Sequence, residues 1–282
     1  MIEVISAGIF SSIQDQGRFG SRNIGVPVSG AMDLYSANLA NALLNNSLES
    51  AVLETTVIGP VLHFLNDTFI SITGAVCPIE LNGIPIPNNC VHKVNATSTL
   101  SIGRVQNGMR TYLGIAGGFQ TKKVLKSRSY YHGITKNKQI RQGDLLKTSL
   151  KFKKIINRAK VKTKLSHLNQ HAISVTYGPE FNRLEKQTQD KLLTSQFILS
   201  NQSNRMAYRL DKYQRISAAE IITSSVQPGT VQLTPSGELI ILMRDCQTTG
   251  GYARVLQLTE NSINQLAQKS AGSDIKFVVN NS

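Results

Sequence analysis

The sequence predicts a mainly β protein, and three observations carry that prediction. Its apolar residues fall in short runs that alternate with polar ones or are rich in β-branched side chains. Gly, Pro, Asn and Ser bound these runs, as they bound strands in barrels and sandwiches. Helical periodicity is confined to a few stretches.

Taken in order, the chain opens on Met1-Ile2-Glu3-Val4-Ile5, a strand-like start. Residues 32–44 predict the first helix, because Leu34, Ala37, Ala40 and Leu44 share one stripe. Glu54-Thr55-Thr56-Val57-Ile58-Gly59-Pro60 then leads into a strand at 69–76, followed by strands at 99–105 and 111–115. A strand at 172–177 precedes a helix over 179–192, with Pro179 in the first turn, where its missing N–H costs nothing. Strands at 231–234, 239–243 and 253–258 follow. The last helix, 261–269, turns Ile263, Leu266 and Ala267 inward and has Gly272 past its end. Residues 220–226 with Pro228-Gly229 precede 239–242 much as 54–60 precede 69–72, which hints at a duplicated unit. The chain is divided near residue 160, into an N-terminal unit 1–160 and a C-terminal unit 161–282.

With 282 residues, 40% of them apolar, the chain can bury a large core. No run approaches the ~20 apolar residues of a membrane span, and the start lacks the basic and apolar regions of a signal peptide. A cytoplasmic protein without membrane contact is expected. Cys77, Cys90 and Cys246 form no CxxC pair, so disulfides and structural zinc are not expected. His167 and His171 stand at i,i+4, but no acid follows His167 as a zincin requires, and no metal site is assigned. Fifteen of the 31 Lys and Arg, but one of the 17 acids, lie in 122–164, so the whole +14 excess sits in that segment. With only Phe152 and the pair Tyr130-Tyr131 as aromatics, it reads as a solvated linker face, with docking of an acidic partner subunit as the second reading and a nucleic-acid site a distant third.

The richest stretch is Asp245-Cys246-Gln247-Thr248-Thr249-Gly250-Gly251-Tyr252, directly behind the apolar run 239–243. Gly250 and Gly251 let backbone approach a ligand, and Asp245, Gln247, Thr248 and Tyr252 offer directed donors and acceptors. A strand ending in a capped Gly-Gly turn is the plainer alternative. Asp15 and Arg18, flanked by Gly17 and Gly20, can present a carboxylate and a guanidinium together, or simply tie their loop down. Ser29 precedes the first helix, as an anion ligand or an ordinary N-cap. Glu54, in an apolar strand, is a raised-pKa acid or the partner of Arg110 or Arg205. Asn204 and Arg205 suit a carboxylate-bearing ligand, and Gln232 completes the preferred pocket with Asp245 and Gln247. No G-x-S-x-G elbow, Walker or Rossmann pattern and no Met-Lys-Met biotinyl motif occurs, so this chain carries no biotin itself.

Several of these segments also resemble a known family. Ser12-Ile13-Gln14-Asp15-Gln16-Gly17-Arg18-Phe19-Gly20, Gly25 to Asp33, Ser36 to Asn41, Leu53 to Thr56 with Gly59-Pro60, Gly117-Gly118, Gly143-Asp144, Ser203 to Met206 with Arg209-Leu210, and Asp245 to Tyr252 come in order along nearly the whole chain. They are similar to the hallmark segments of the biotin-dependent carboxyltransferase, or allophanate hydrolase subunit 2, family. Ala207, Ala253 and Ala271 depart from its usual glycine, proline and Pro-Gly, and 130–142 lacks its glycine pattern. The resemblance implies two cyclophilin-like β-barrel units and one component of an ATP-dependent 5-oxoprolinase. That assembly opens 5-oxo-L-proline to L-glutamate together with partners similar to the B and A components of 5-oxoprolinase, which share the binding of ATP. Asp15, Asp245 and Glu54 are then the candidate catalytic groups, Arg18, Ser29, Asn204, Arg205, Gln232, Gln247, Thr248 and Tyr252 the substrate ligands, and Gly250 and Gly251 the cofactor contacts. Two alternatives follow from other relatives: carboxyl transfer to urea or a related amide from carboxybiotin on another chain, and non-catalytic antagonism of a histidine-kinase inhibitor.

Overall fold

The computed structural model describes residues 1–149, 166–211 and 221–280. The chain forms two compact units, Met1–Arg18 with Ser29–Leu168 and Phe19–Val28 with Asn169–Ser282. The expected boundary near residue 160 falls outside the described residues, as do 150–164 of the basic segment and Glu220.

Strands dominate both units. In the first, a six-stranded sheet runs β11 (Leu145–Leu146), β1 (Ile2–Ser6), β4 (Val61–Phe64), β9 (Thr99–Ile102), β6 (Ile79–Leu81), β7 (Ile84–Pro85). A five-stranded sheet runs β2 (Phe10–Gln14), β3 (Val52–Thr56), β10 (Asn107–Ile115), β5 (Thr68–Val76), β8 (Val91–Val94). Alternation explains how both are covered. Leu53, Ile70, Ile72 and Leu113 join Ile2, Val4, Leu62 and Leu100 in one core between the sheets. Each such side chain contributes about 1.5–3 kcal/mol when fully buried. On the opposite face of the five-stranded sheet, Val52 and Tyr112 pack with Ala37 and Ala40 of α1 (Leu34–Leu43). Glu54 is paired with Tyr112 and Ser12 across the strands.

The described part of the basic segment is more firmly held than a linker face. Tyr130 N–H donates to Ile13 O at 2.8 Å and Ile140 N–H to Ser11 O at 2.9 Å, while Ile140 is buried. Its lysines stay exposed. Apolar anchors fix the backbone and leave the charges to solvent.

The second unit is built on a seven-stranded sheet: β13 (Phe197–Ile198), β20 (Asp274–Val279), β12 (Ala172–Tyr177), β19 (Ala253–Leu258), β16 (Thr230–Leu233), β17 (Leu239–Leu242), β14 (Ala207–Arg209). Among the described residues only β12 and β20 pair in parallel. A two-residue ribbon, β15 (Ser224–Ser225) and β18 (Thr249–Gly250), stands apart from it. Helix α4 (Glu260–Leu266) is capped by Thr259, whose hydroxyl accepts from Ser262 N–H. The helix expected over 179–192 is divided. A 3-10 turn, Phe181–Arg183, ends where Leu184 turns extended, and α3 (Lys186–Thr194) begins afterwards. Burial of Phe181 and Leu184, together with the capture of Glu180 by Arg254, holds the first turn to the sheet and breaks the helix. The single turn α2 (Ser166–Asn169) carries His167, a residue of the first unit. Among the described residues no helix is long and apolar enough to cross a membrane.

Candidate functional site

The register of three strands in the second unit builds a polar face. Gln232 on β16 stands beside Ile240 on β17, and Ile240 beside Arg209 on β14, while Leu242 stands beside Ala207. The intervening residues Val231, Leu233, Ile241 and Tyr208 point the other way into the core. Ile240, Leu242 and Ala207 pack with Val226 and Cys246 as an apolar patch. Burial pushes the Cys246 thiol up to about 12, so it is an inert part of this patch.

A cavity of about 310 Å³ opens on this face, lined by Gln232, Ile240, Leu242, Asn204, Arg209, Gln247 and Tyr252, among others. Gln232 is 1% exposed, and its Nε2 has no hydrogen-bond partner among the described residues. A buried amide donor left unmade costs roughly 1–3 kcal/mol, which an acceptor oxygen in the cavity would recover. Gly250 packs against the same amide, since a Cβ there would meet Nε2 at 2.7 Å. The Asn204 carboxamide oxygen accepts from Met206 N–H at 2.7 Å and Ala207 N–H at 3.3 Å, fixing an Asx turn.

Of the residues the sequence nominated, the cavity brings together Asn204, Gln232, Gln247 and Tyr252. Arg205 and Asp245 do not line it; they hold one another through Nε–Oδ2 at 2.8 Å and Nη2–Oδ1 at 3.1 Å. The cavity's cation is Arg209, which the resemblance quoted only as part of a motif. The signal was the two-residue alternation of β14, which buries Tyr208 and turns Arg209 outward with Ala207.

A second cavity in the same unit, about 750 Å³, is lined in part by Arg22, Tyr177, Thr230, Thr248, Arg254 and Gln257. Thr248 therefore belongs here, and its carbonyl accepts from Val226 N–H at 3.1 Å. Gly251 accepts from Ile221 N–H at 3.1 Å, closing the turn behind the ribbon. Glu180 accepts from Arg254 N–H, Nε and Nη2 at 2.7–2.9 Å. Those bonds hold the Glu180 carboxyl below its ordinary range and the Arg254 guanidinium above its own.

The remaining nominated residues lie in the first unit. The Asp15 carboxylate accepts from Gly17 N–H at 2.9 Å, Ser127 Oγ at 2.6 Å, Ser129 Oγ at 2.7 Å and Arg128 N–H at 2.5 Å. Arg18 is fully buried and donates to the Val124 and Ser129 carbonyls. Both charges tie their loop to 124–129. Ser29 takes a left-handed backbone (φ 57°) and is buried. It is not the cap of α1: Asp33 is, accepting from Ser36 N–H at 3.0 Å. The N–H groups near that helix start are already engaged, Met32 by Glu54 Oε2 at 2.7 Å and Asp33 by Tyr112 Oη at 2.8 Å. Arg110 Nε lies 3.9 Å from Glu54 Oε1. Burial, then the nearby Glu54 and Asp33 carboxylates, push the Tyr112 hydroxyl far above its usual range. His167 Nε2 sits 3.0 Å from Asp33 Oδ2 with its ring against Tyr35. Among the described residues no three His, Cys, Asp or Glu side chains gather as a metal site.

Residues 24–279 match the carboxyltransferase domain family, subdomains A and B. The chain is 33% identical to the C component of the 5-oxoprolinase of Escherichia coli, over 99% of its own length and 91% of that protein. It is 30% identical to the urea amidolyase of Saccharomyces cerevisiae, over 98% of its length but 16% of that protein. The solved urea amidolyase of Kluyveromyces lactis superposes with a TM-score of 0.87 at 27% identity, over 99% of this chain and 18% of that one. Another solved chain, of which this one spans 55%, superposes with a TM-score of 0.88 at 26% identity.

Proposed function

Because the chain belongs to the carboxyltransferase domain family, subdomains A and B, we propose that it serves as the lactam-binding component of an ATP-dependent 5-oxoprolinase. The observation that carries this reading is the buried Gln232 amide, without a protein acceptor among the described residues, in a small cavity with an apolar floor. A five-membered lactam offers a matching set of groups: a carbonyl oxygen for Gln232 Nε2, ring methylenes for Ile240 and Leu242, and a carboxylate for Arg209. The near-complete coverage of the 5-oxoprolinase C component favours this reading over urea carboxylation, since only a fraction of each urea amidolyase is matched.

The lactam carbon is a poor electrophile. ATP, as co-substrate, would give its terminal phosphoryl group to the lactam oxygen with ADP leaving, after which water would add to the activated carbon, the ring C–N bond break and phosphate depart. The part assigned to this chain is binding and orientation. Gln232 holds the oxygen, Asn204 and Gln247 flank the ring, and Tyr252 guards the mouth. Asp245 acts as a positioning residue, because it fixes Arg205 and with it the turn that carries Asn204. Partners similar to the B and A components of 5-oxoprolinase would complete the reaction.

The test is ATP-dependent glutamate formation from 5-oxoproline by this chain mixed with both partner types, each omitted in turn, and repeated with Gln232→Leu. The expected result is activity that needs this chain and falls at least tenfold through KM with Gln232→Leu. Unchanged KM in that variant, or biotin-dependent carboxylation instead of lactam opening, would sink the reading. A complex without ATPase activity would favour the antagonist role.

A further inference from the structure

We propose that the cationic flank of the first unit, built by the described part of the basic segment, is the docking surface for an acidic face of a partner subunit. Charge is the first reason. Residues 122–149 carry eight Lys and Arg against one acid, Asp144. Arg128 is engaged inside the fold, its Nη1 and Nη2 donating to Thr121 O and Gln120 Oε1. The other seven cations are exposed, and among the described residues none of them forms an ion pair. The one acid is half-buried, and its Oδ2 accepts from the Arg141 N–H at 2.8 Å. Exposed charge of one sign, unanswered within its own unit, steers and orients a surface of the opposite sign.

Presentation is the second reason. The segment runs along the edges of both sheets: Tyr130 and Ile140 donate to Ile13 and Ser11 of β2, Gly143 N–H donates to Val4 O at 2.8 Å, and β11 pairs with β1. The charges therefore stand on a backbone fixed by the sheets. Lys122, Lys123 and Lys126 gather at a tight turn, in which Val124 and Ser127 exchange N–H to O bonds of 2.8 and 3.2 Å. Leu125 and Lys126 at its tip both take left-handed backbone, φ 49° and 68°. Side chains with a Cβ resist that region, and the Asp15 carboxylate holds the turn in it by binding Ser127, Arg128 and Ser129. Leu125 is 40% exposed at this tip, and Leu145 is 56% exposed further along. Apolar side chains bordered by charge match the centre and rim of a protein interface. Single-stranded nucleic acid is instead stacked on exposed aromatics, and Tyr130 and Tyr131 here are half-buried.

The choice of partner rests on the preceding reading. The full chain is titrated into the partners similar to the B and A components of 5-oxoprolinase, each fluorescently labelled in turn, and complex formation is followed by anisotropy. Saturable binding of one of them is expected, with affinity falling as salt is added. Lys122→Glu, Lys123→Glu and Lys126→Glu together should weaken it tenfold or more. Lys136→Gln with Lys138→Gln should weaken it several-fold and serves where the triple reversal unfolds. Lys93→Glu with Lys186→Glu, at exposed positions outside the segment, should change nothing. Leu125→Gly separates docking from folding: glycine accepts the left-handed backbone, so this variant should unfold no more readily than the wild type yet bind several-fold more weakly. Unchanged affinity in the lysine and Leu125 variants, an equal loss in the Lys93 and Lys186 variant, or displacement of the partner by a short single-stranded RNA overturns the proposal. The two readings fail separately. A complex indifferent to charge reversal overturns this one alone, unchanged KM in Gln232→Leu within a charge-dependent complex sinks the preceding one alone, and no complex with either partner sinks both.

Discussion

Asp245 receives both Nε and Nη2 of Arg205, and its own N–H donates to the Arg205 carbonyl at 3.0 Å. Each side chain is about one-tenth exposed. The pair therefore consumes the two charges that the sequence offered to a substrate, and it fixes the turn beside Asn204. Asp245→Asn should lower stability by roughly 1–3 kcal/mol, the cost of leaving a largely buried cation short of its partner. A double-mutant cycle with Arg205→Gln, read by urea unfolding, should show coupling between the two; additive losses would contradict it.

Gly250 is required for space. A methyl at this position would meet Gln232 Nε2 at 2.7 Å, closer than real Cβ contacts, so the amide must swing. Gly250→Ala should raise KM for the lactam several-fold while thermal unfolding moves little, because a side chain and not the backbone has to yield. A KM equal to wild type would show that Gln232 does not hold the ligand.

Glu180 predicts a pH dependence. Its three bonds from Arg254 lower its folded-state pKa below the unfolded value, near 4.3. The folded state therefore gains stability that is fully present above the unfolded pKa and is lost as pH falls through the depressed folded pKa. Glu180→Gln should be less stable than wild type at pH 7, by roughly 1–3 kcal/mol, and the difference should shrink below about pH 4. Denaturant unfolding at both pH values measures this, and a constant difference would rule it out.

Asp33 caps α1 and also meets His167. Asp33→Ala should cost about 1–2 kcal/mol from the cap alone, whereas His167→Gln should leave the helix intact. Loss of α1 protection in amide exchange for the first variant and not the second would separate the two contacts.

Much of the fold could be read directly. The runs at 172–177 and 253–258 are strands with those same limits, because alternation and bounding turn residues are local properties. The stripe of Ala37, Ala40 and Leu44 is buried as its 3.6-residue spacing requires. The helix over 179–192 forms only from Lys186 onward, because Glu180 is claimed by Arg254 far along the chain while Phe181 and Leu184 are buried, which no local window reports.

The candidate site divides along the same line. By itself the sequence determined the family, the mainly β architecture and the residue types near the site, including Asn204, Gln232, Gln247 and Tyr252. The family follows from the resemblance of its ordered motifs and the architecture from period and bounding turn residues, all written in consecutive residues. Only the tertiary structure decided which charges remain available. Asp15, Arg205 and Asp245 meet partners within the fold, while Arg209 and Arg22 have no carboxylate among the described residues. The physical reason is that a charged side chain pairs with whatever opposite charge or hydrogen-bonding group the fold brings within about 3 Å, and that neighbour is set by strand register and loop packing rather than by the residue itself.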